Sequence, residues 1–173
     1  MSKRALIISD SHGKNDDVKS VIEQVGHIDM LIHLGDIERG PEYIRSLVDC
    51  PIHMVSGNND YNIHLPANDE FEFEGYRIFI THGHRFYVNG GTSHLEEFAI
   101  SQGYDVVMFG HTHVPYLHIG EQVTLLNPGS ISYPRQVGRE HTFMIMESDD
   151  KGMLHYSTGK LASSLRDVYK GFY

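Results

Sequence analysis

The sequence has a single cysteine and no long apolar run, and each absence excludes a class of protein. Cys50 alone cannot form an intrachain disulfide or a thiolate zinc cluster, which fits a reducing compartment. The longest apolar runs, such as residues 5–8, contain four residues. They are far shorter than the roughly 18 residues that cross a bilayer, and too short for a signal-peptide core. We therefore expect a cytoplasmic protein without membrane contact.

Positive charge is also scarce. The chain has 14 Lys and Arg against 23 Asp and Glu, so its formal net charge is −9 with histidine neutral. Such a surface repels phosphate backbones and argues against non-specific binding of nucleic-acid duplexes. A small phosphorylated substrate stays compatible, because bound cations can invert the local charge. The length of 173 residues and the ordinary globular composition predict a single domain over residues 1–173.

The first half of the chain alternates strand and helix patterns. Apolar runs predict strands at residues 4–9, 30–34 and 52–56. Apolar residues at i, i+3, i+4 and i+7 from Val18 predict a helix that ends before Gly26, and Pro41 suits the start of a second helix. This βαβαβ order indicates parallel strands.

The second half carries shorter and more closely spaced strand patterns. A hairpin should turn at Gly75, and residues 93–96 resemble a capping box that opens a helix ending at Gly103. Further strands are predicted at residues 105–109, 116–119, 123–126, 142–146 and 153–156. Together the elements suit a mixed sheet or two packed sheets with helices outside. The last dozen residues carry only a weak helical stripe.

Histidine is unusually abundant, with 13 copies, and several of them follow predicted strands together with Asp and Asn. The residues concerned are Asp10 and His12, Asp36, Asn58 and Asp60, His82 and His84, and His111 and His113. Ligands bind beyond the carboxyl ends of strands in α/β sheets, so these five strand ends could converge. Each fragment alone is compatible with a turn or loop, but the five together indicate one site.

The residue types at these strand ends indicate metal chemistry. Carboxylates, an amide oxygen and imidazoles without a thiolate suit Mn, Fe, Ni or Zn and fit calcium poorly. The candidate ligands outnumber what one ion needs, so we expect two ions roughly 3.5–4 Å apart. Such a pair binds phosphate oxygens and lowers the pKa of a bridging water.

The motifs, in order, resemble those of the calcineurin-like metallophosphoesterase superfamily. They are Asp10-x-His12, Gly35-Asp36, Gly57-Asn58-x-Asp60, Thr81-His82-Gly83 and Gly110-His111-x-His113. The stretch at residues 126–135 resembles the small bacterial and archaeal phosphodiesterase branch of that superfamily. The resemblance implies an α/β fold, a four-layer αββα sandwich of two mixed β-sheets flanked by helices. A homodimer or tetramer would be consistent with this branch.

The resemblance also implies a role for each motif residue. Asp10, His12 and His113 would hold the first ion, Asn58, His82 and His111 the second, and Asp36 would bridge both. Asp36, Asp60 and His82 are the residues expected to take part in catalysis, with Asp60 orienting a neighbouring group. Manganese is the expected metal, and nickel, iron, zinc or magnesium would also suit the ligands.

One position departs from the common pattern. Much of the superfamily has a histidine after the ligand asparagine, where it assists the leaving group, but this chain has Asn59. An amide exchanges no proton at neutral pH, so poor leaving groups should react slowly. His64 and His84 are candidates for outer partners or for a substitute acid. Arg135 would either hold a substrate phosphate or pair with a carboxylate.

These observations predict a dinuclear metal-dependent phosphodiesterase that hydrolyses small phosphate diesters or nucleotides through a metal-bridging hydroxide. One alternative is a non-catalytic protein-binding scaffold of the retromer type, which the same fold also serves. A second alternative is a phosphomonoesterase. The complete ligand set argues against the scaffold, and Asn59 and the small size argue against the monoesterase.

Overall fold

A computed structural model describes residues 2–162 of the protein. The strands in that range are β1 (Arg4–Ile8), β2 (Met30–His33), β3 (Ile52–Met54), β4 (Asn68–Phe73), β5 (Tyr76–Thr81), β6 (Val106–Met108), β7 (Pro115–Ile119), β8 (Thr124–Pro128), β9 (Thr142–Ser148) and β10 (Leu154–Lys160). The helices are α1 (Asn15–Val25), α2 (Pro41–Arg45) and α3 (Ser93–Gln102), with short 3-10 turns at His84–Phe86 and Val88–Gly90.

The strands form two five-stranded sheets, and both are mixed. The first sheet has the order β10-β9-β1-β2-β3, in which β1, β2 and β3 are parallel and β9 is antiparallel to β1. The second sheet has the order β4-β5-β6-β8-β7, in which β5, β6 and β8 are parallel. The parallel strands predicted from the βαβαβ order, and the hairpin between β4 and β5, are therefore confirmed.

The alternation of side chains along each strand builds four layers. Ala5 and Ile7 of β1 pack against Ile78 and Ile80 of β5, which fills the space between the two sheets. Leu6 and Ile8 point the other way and pack with residues of α1 and α2. On the far face of the second sheet, α3 packs against β5 and β6. Helices cover both outer faces, so the predicted αββα sandwich is confirmed.

One detail differs from the sequence-based expectations. The predicted capping box is wrong, because Thr92 is the N-cap of α3 and no side chain caps it. The helix begins one residue earlier than a Ser93 cap requires, since the Glu96 N–H already bonds the Thr92 carbonyl. The end predicted at Gly103 is confirmed. The weak helical stripe falls on the last dozen residues, and those after residue 162 lie outside the described part.

The helices of residues 2–162 are all too short or too polar to cross a membrane. The carboxyl ends of β1, β2 and β3 face the same way because the strands are parallel, and those of β5 and β6 agree with each other for the same reason. The loops after these five strands carry the predicted ligands. The two sheets therefore bring candidate ligands to one edge of the sandwich.

Candidate metal centre

Backbone hydrogen bonds tie the loops after the strands to one another. The Asp10 N–H donates to the Gly35 carbonyl at 3.0 Å, and the His12 N–H donates to the Asp36 carbonyl at 2.8 Å. Across the sandwich, the His111 N–H donates to Asp10 Oδ2 at 3.1 Å. The loops of the two sheets thus form one connected site and not two separate ones.

The ligand-bearing turns use an uncommon backbone conformation. The φ angles are positive at Asp10 (55°), His12 (46°), Asp36 (54°), His111 (69°) and His113 (58°). Residues other than glycine rarely adopt this left-handed region, and such residues gather at functional sites. Five of the seven predicted ligands are thus aimed by sharp turns directly after the strands.

Glycines let these turns approach closely. Gly35 has a φ of 100°, and a Cβ there would lie 2.7 Å from the Gly57 nitrogen and 2.8 Å from His82 Nδ1. A Cβ at Gly57 would overlap the Asp36 carboxylate. Only glycine accommodates both the backbone conformation at position 35 and the contact distance at position 57.

Four side chains converge at the centre of the site. Asp10, His12, Asp36 and His113 each offer one ligand atom, and these atoms all lie within 4.8 Å of one another. His113 Nε2 lies 3.1 Å from Asp10 Oδ1, and His12 Nε2 lies 3.7 Å from Asp36 Oδ2. Two carboxylates and two imidazoles at this spacing form a candidate metal-binding cluster.

Each imidazole near the centre is held by its outward nitrogen. His12 Nδ1 bonds the Glu38 carboxylate at 2.7 Å, and His82 Nδ1 bonds the Leu34 carbonyl at 2.7 Å. His113 Nδ1 bonds the carbonyl of residue 133 at 2.6 Å. Because Nδ1 donates in each case, the lone pair of Nε2 faces the site. Metal-ligating histidines show this pattern, in which an outer acceptor fixes the tautomer and the ring angle.

Two polar atoms at the centre are buried without a hydrogen-bond partner among the described residues. They are Asp10 Oδ1 and His82 Nε2, which lie 3.8 Å apart, and both side chains are fully buried. Buried polar atoms in native proteins are nearly always hydrogen-bonded or bound to an ion. Bound divalent cations would satisfy both atoms, so these residues fit a metal.

The charges of the site depend on this packing. Burial by itself raises the pKa of the Asp10 carboxyl, but the close approach of His113 and His82 outweighs burial and leaves the pKa below its usual value. Asp36 shows the same balance, in which His82 and Asn59 hold its pKa far below the usual range despite burial. Burial lowers the pKa of His82, whereas the nearby carboxylates of Asp36 and Asp10 raise it above its usual value overall.

The remaining predicted ligands are placed less tightly. The ring centroid of His111 lies 5.2 Å from that of His82, and Asn89 Nδ2 lies 2.9 Å from His111 Nε2. Asn58 is exposed and makes no side-chain hydrogen bond within residues 2–162. His84, which was predicted as an outer partner and not as a ligand, is half-buried, with its ring centroid 5.5 Å from that of His82.

The predicted outer residues take different places. Asp60 accepts from the Glu38 N–H at 2.6 Å and the Gly57 N–H at 2.7 Å, so it joins the loops after β2 and β3. His64 is exposed. The Arg135 N–H donates to the His113 carbonyl at 3.0 Å, and its exposed side chain forms no ion pair with the described residues.

Sequence reasoning missed two residues that hold ligands in place. Glu38 fixes His12, and its own φ of 62° turns it toward that ring. Asn127 is buried and donates to the Gly110 carbonyl at 2.9 Å and to Thr112 Oγ1 at 3.0 Å. Asn127 belongs to the stretch that resembles the small phosphodiesterase branch, which is a usable signal. No periodicity or spacing points to Glu38.

Comparisons with known proteins agree with this site. The model of the calcineurin-like phosphoesterase superfamily domain matches residues 4–151. A probable metallophosphoesterase of Methanothermobacter thermautotrophicus is 33% identical over 135 residues, which cover 75% of this chain and 77% of the relative. The phosphodiesterase YfcE of Escherichia coli K12 is 28% identical over 170 residues, which cover 84% of this chain and 88% of the relative.

Solved structures show the same fold. A predicted phosphoesterase from Streptococcus pneumoniae TIGR4 superposes with a TM-score of 0.77 at 29% identity, over 92% of this chain and 99% of that one. Vps29 of Chaetomium thermophilum superposes with a TM-score of 0.72 at 19% identity, over 91% and 95%, which is a likeness of fold alone. The chain therefore belongs to the calcineurin-like phosphoesterase superfamily, a family of enzymes, as its motifs predicted.

Proposed function

We propose that this protein is a phosphodiesterase that uses two divalent metal ions to hydrolyse small phosphate diesters or nucleotides. The observation that carries the proposal is a pair of buried atoms, Asp10 Oδ1 and His82 Nε2, which lie 3.8 Å apart and have no hydrogen-bond partner among the described residues. Leaving both unsatisfied is costly, so bound cations are the natural partners. The relative named a phosphodiesterase supports the class of reaction.

The motif residues divide between two ions. Asp10, His12 and His113 would hold the first, Asn58, His82 and His111 the second, and Asp36 would bind both. When bound, such ions supply a hydroxide at neutral pH and positive charge opposite the phosphate oxygens. We propose manganese as the metal, with nickel, iron, zinc and magnesium as the alternatives that the same ligands accept.

The chain itself supplies orientation and substrate binding. Glu38 and the Leu34 carbonyl keep the Nε2 atoms of His12 and His82 turned inward. Asp60 ties together the loops that carry Asp36 and Asn58, which supports the orienting role proposed for it. The guanidinium of Arg135 is free of ion pairs with the described residues, so it can hold a substrate phosphate by its two-pronged donor geometry.

Other expectations from the sequence stay predictions. They are a single domain over residues 1–173, a cytoplasmic location, a homo-oligomer and the absence of non-specific duplex binding. The acidic net charge of −9 supports the last of these.

The test is hydrolysis of bis(p-nitrophenyl) phosphate and of p-nitrophenyl phosphate by the full chain after chelation, with and without added Mn²⁺. We expect no diester hydrolysis after chelation, recovery with Mn²⁺ or Ni²⁺, and much slower monoester hydrolysis. Full diester activity in protein that mass spectrometry shows to be free of metal would refute the proposal. Faster monoester hydrolysis would establish the phosphomonoesterase alternative, and metal uptake without any hydrolysis would favour the scaffold.

A further inference from the structure

Asn59 contacts both oxygens of the Asp36 carboxylate. The Asn59 backbone N–H donates to Asp36 Oδ1 at 2.9 Å, and its side-chain Nδ2 donates to Asp36 Oδ2 at 2.7 Å. The neighbouring Asn58 makes no side-chain hydrogen bond within the described chain. Of the two adjacent asparagines, Asn59 is therefore the one whose amide reaches Asp36, the carboxylate predicted to bridge the ions.

The turn that presents Asn59 is itself fixed. Gly57 N–H donates to Asp60 Oδ2 at 2.7 Å, and Asp60 N–H donates back to the Gly57 carbonyl at 3.3 Å. Gly57 has no side chain because a Cβ would overlap the Asp36 carboxylate. The turn therefore lies directly against Asp36 and has little freedom to withdraw the amide.

The two contacts determine which lone pairs of the Asp36 carboxylate stay available to a metal ion. A carboxylate has about four lone-pair positions, two on each oxygen. Asn59 takes one position on each oxygen and leaves one on each. Rotation of the carboxylate would break both bonds at once. The carboxylate is thus held with Oδ2 3.4 Å from His82 Nε2 and 3.7 Å from His12 Nε2, one imidazole from each proposed ligand set.

The amide suits this role because it donates without carrying charge. A cationic donor at the same place would compete electrostatically with the ions, and a carboxylate would repel Asp36. In this contact the side-chain donor of Asn59 points to Asp36. Position 59 is therefore engaged in holding a ligand and is not free to act on a leaving group.

We propose that Asn59 is a positioning residue that orients the Asp36 carboxylate for metal binding through its side-chain amide. The proposal rests on the proposed function only in taking Asp36 as a metal ligand. It predicts that a donor at position 59 sets metal affinity. It also predicts that losing the donor slows good and poor leaving groups alike.

The test compares three variants with the wild-type chain. Asn59→Leu keeps the branched shape and removes the donor. Asn59→His restores a donor, because ring Nδ1 is the same number of bonds from the backbone as the amide nitrogen. Asn62→Ala is the matched control, since Asn62 is exposed on the same loop. Mn²⁺ binding to each chelated protein is measured by calorimetry, and circular dichroism confirms that each variant is folded. The rates of the Mn²⁺-loaded proteins are measured with diesters that have good and poor leaving groups.

We expect Asn59→Leu to weaken Mn²⁺ binding by about 10–100-fold, the usual loss when an outer partner of a ligand is removed. Asn59→His should stay close to the wild-type affinity, because it keeps a donor at the same number of bonds from the backbone, and Asn62→Ala should be unchanged. The absorption spectrum of the Co²⁺-loaded protein should change in the leucine variant and be restored in the histidine variant.

Three results would overturn the proposal. The first is wild-type Mn²⁺ affinity in Asn59→Leu. The second is an equal loss in Asn59→Leu and Asn59→His, which would show that space and not a donor matters. The third is a rate loss in Asn59→Leu confined to diesters with poor leaving groups, which would place residue 59 at the leaving oxygen. If wild-type protein binds no Mn²⁺ at all, the proposed function itself fails, and that outcome is distinct from these three.

Discussion

The two proposed ligand sets differ in how completely the fold assembles them. Asp10, His12 and His113 lie with Asp36 in a cluster whose ligand atoms are all within 4.8 Å of one another. In the other set the Leu34 carbonyl holds the His82 ring, whereas Asn58 is exposed without a side-chain hydrogen bond among the described residues. A preorganised site loses less conformational entropy on binding. The first set should therefore bind its ion more tightly than the second.

The local chain explains this difference. His12 and His113 lie in sharp turns that begin within a few residues of β1 and β6, and backbone bonds to Asp36 and Arg135 secure those turns. Asn58 lies in the turn of residues 57–60, whose backbone Asp60 secures, but its side chain is exposed and makes no hydrogen bond among the described residues. A side chain without such a contact keeps more rotamer freedom and loses more of it when it binds a metal.

Replacing the shared ligand should have the largest effect. Asp36→Ala removes a ligand of both ions, so we expect loss of both ions and a rate loss of more than about 100-fold, beyond the usual effect of an outer partner. Metal content by mass spectrometry and turnover of an aryl diester measure it. Glu121→Ala, an exposed acid, is the control. A variant that retained two ions and wild-type turnover would show that Asp36 does not bridge the ions.

Stepwise metal binding tests the comparison directly. Calorimetry of the chelated protein with Mn²⁺ should show a tight step followed by a weaker one. Asn58→Ala should abolish only the weaker step, because Asn58 belongs to the less assembled set. His113→Ala should weaken the tight step. The comparison fails if Asn58→Ala weakens the tight step as much as His113→Ala does.

The stability that buried His33 contributes beside the first ligand set should depend on pH. His33 is fully buried, Ser11 Oγ lies 2.9 Å from its Nε2, and the Gly35 N–H bonds its Nδ1 at 3.2 Å. Burial lowers the pKa of His33 from 6.5 to about 4. The unfolded chain therefore binds more protons than the folded chain between these pH values. The neutral ring contributes stability above pH 6.5 that is lost as pH falls toward 4.

The pH effect can be measured by denaturant unfolding of chelated protein at several pH values between 7 and 4, as the shift in pKa implies. At about 1.4 kcal/mol per unit, His33 accounts for about 3 kcal/mol over this range. The variant His33→Gln keeps a donor and an acceptor and should flatten the profile by that amount. Parallel profiles for the two proteins would show that His33 does not contribute.

Replacing the residues that hold the histidine ligands should have the smallest effect on Mn²⁺ affinity. The effect should differ between the two ligand sets. Glu38→Gln weakens the hold on His12, and we expect about a 10-fold loss in affinity for the tightly bound Mn²⁺. Asn89→Ala removes the contact of Asn89 with His111, which is half-buried, and should affect only the weaker step and by less. Calorimetry of both variants decides this. If Glu38→Gln and Asn89→Ala weakened the tight step equally, the two ligand sets would not be independent.

Much of the architecture follows from local sequence patterns. The periodicity after Val18 and the glycines at positions 26 and 103 predicted α1 and the end of α3, because apolar spacing and glycine caps with positive φ are properties of a few consecutive residues. The ligand motifs were predictable for a related reason. Polar residues directly after parallel strands must meet at one edge, whatever the loops do.

Only the tertiary structure decided how those ligands are held. The Nε2 atoms face inward because Glu38, the Leu34 carbonyl and the carbonyl of residue 133 occupy the opposite nitrogens. Of the two adjacent asparagines, Asn59 reaches Asp36 because of the path of its turn. These contacts join residues from different loops and depend on distances between loops, which no spacing along one chain segment encodes. The sequence by itself therefore determined which residues gather, and the packing of the loops decided which atoms they present.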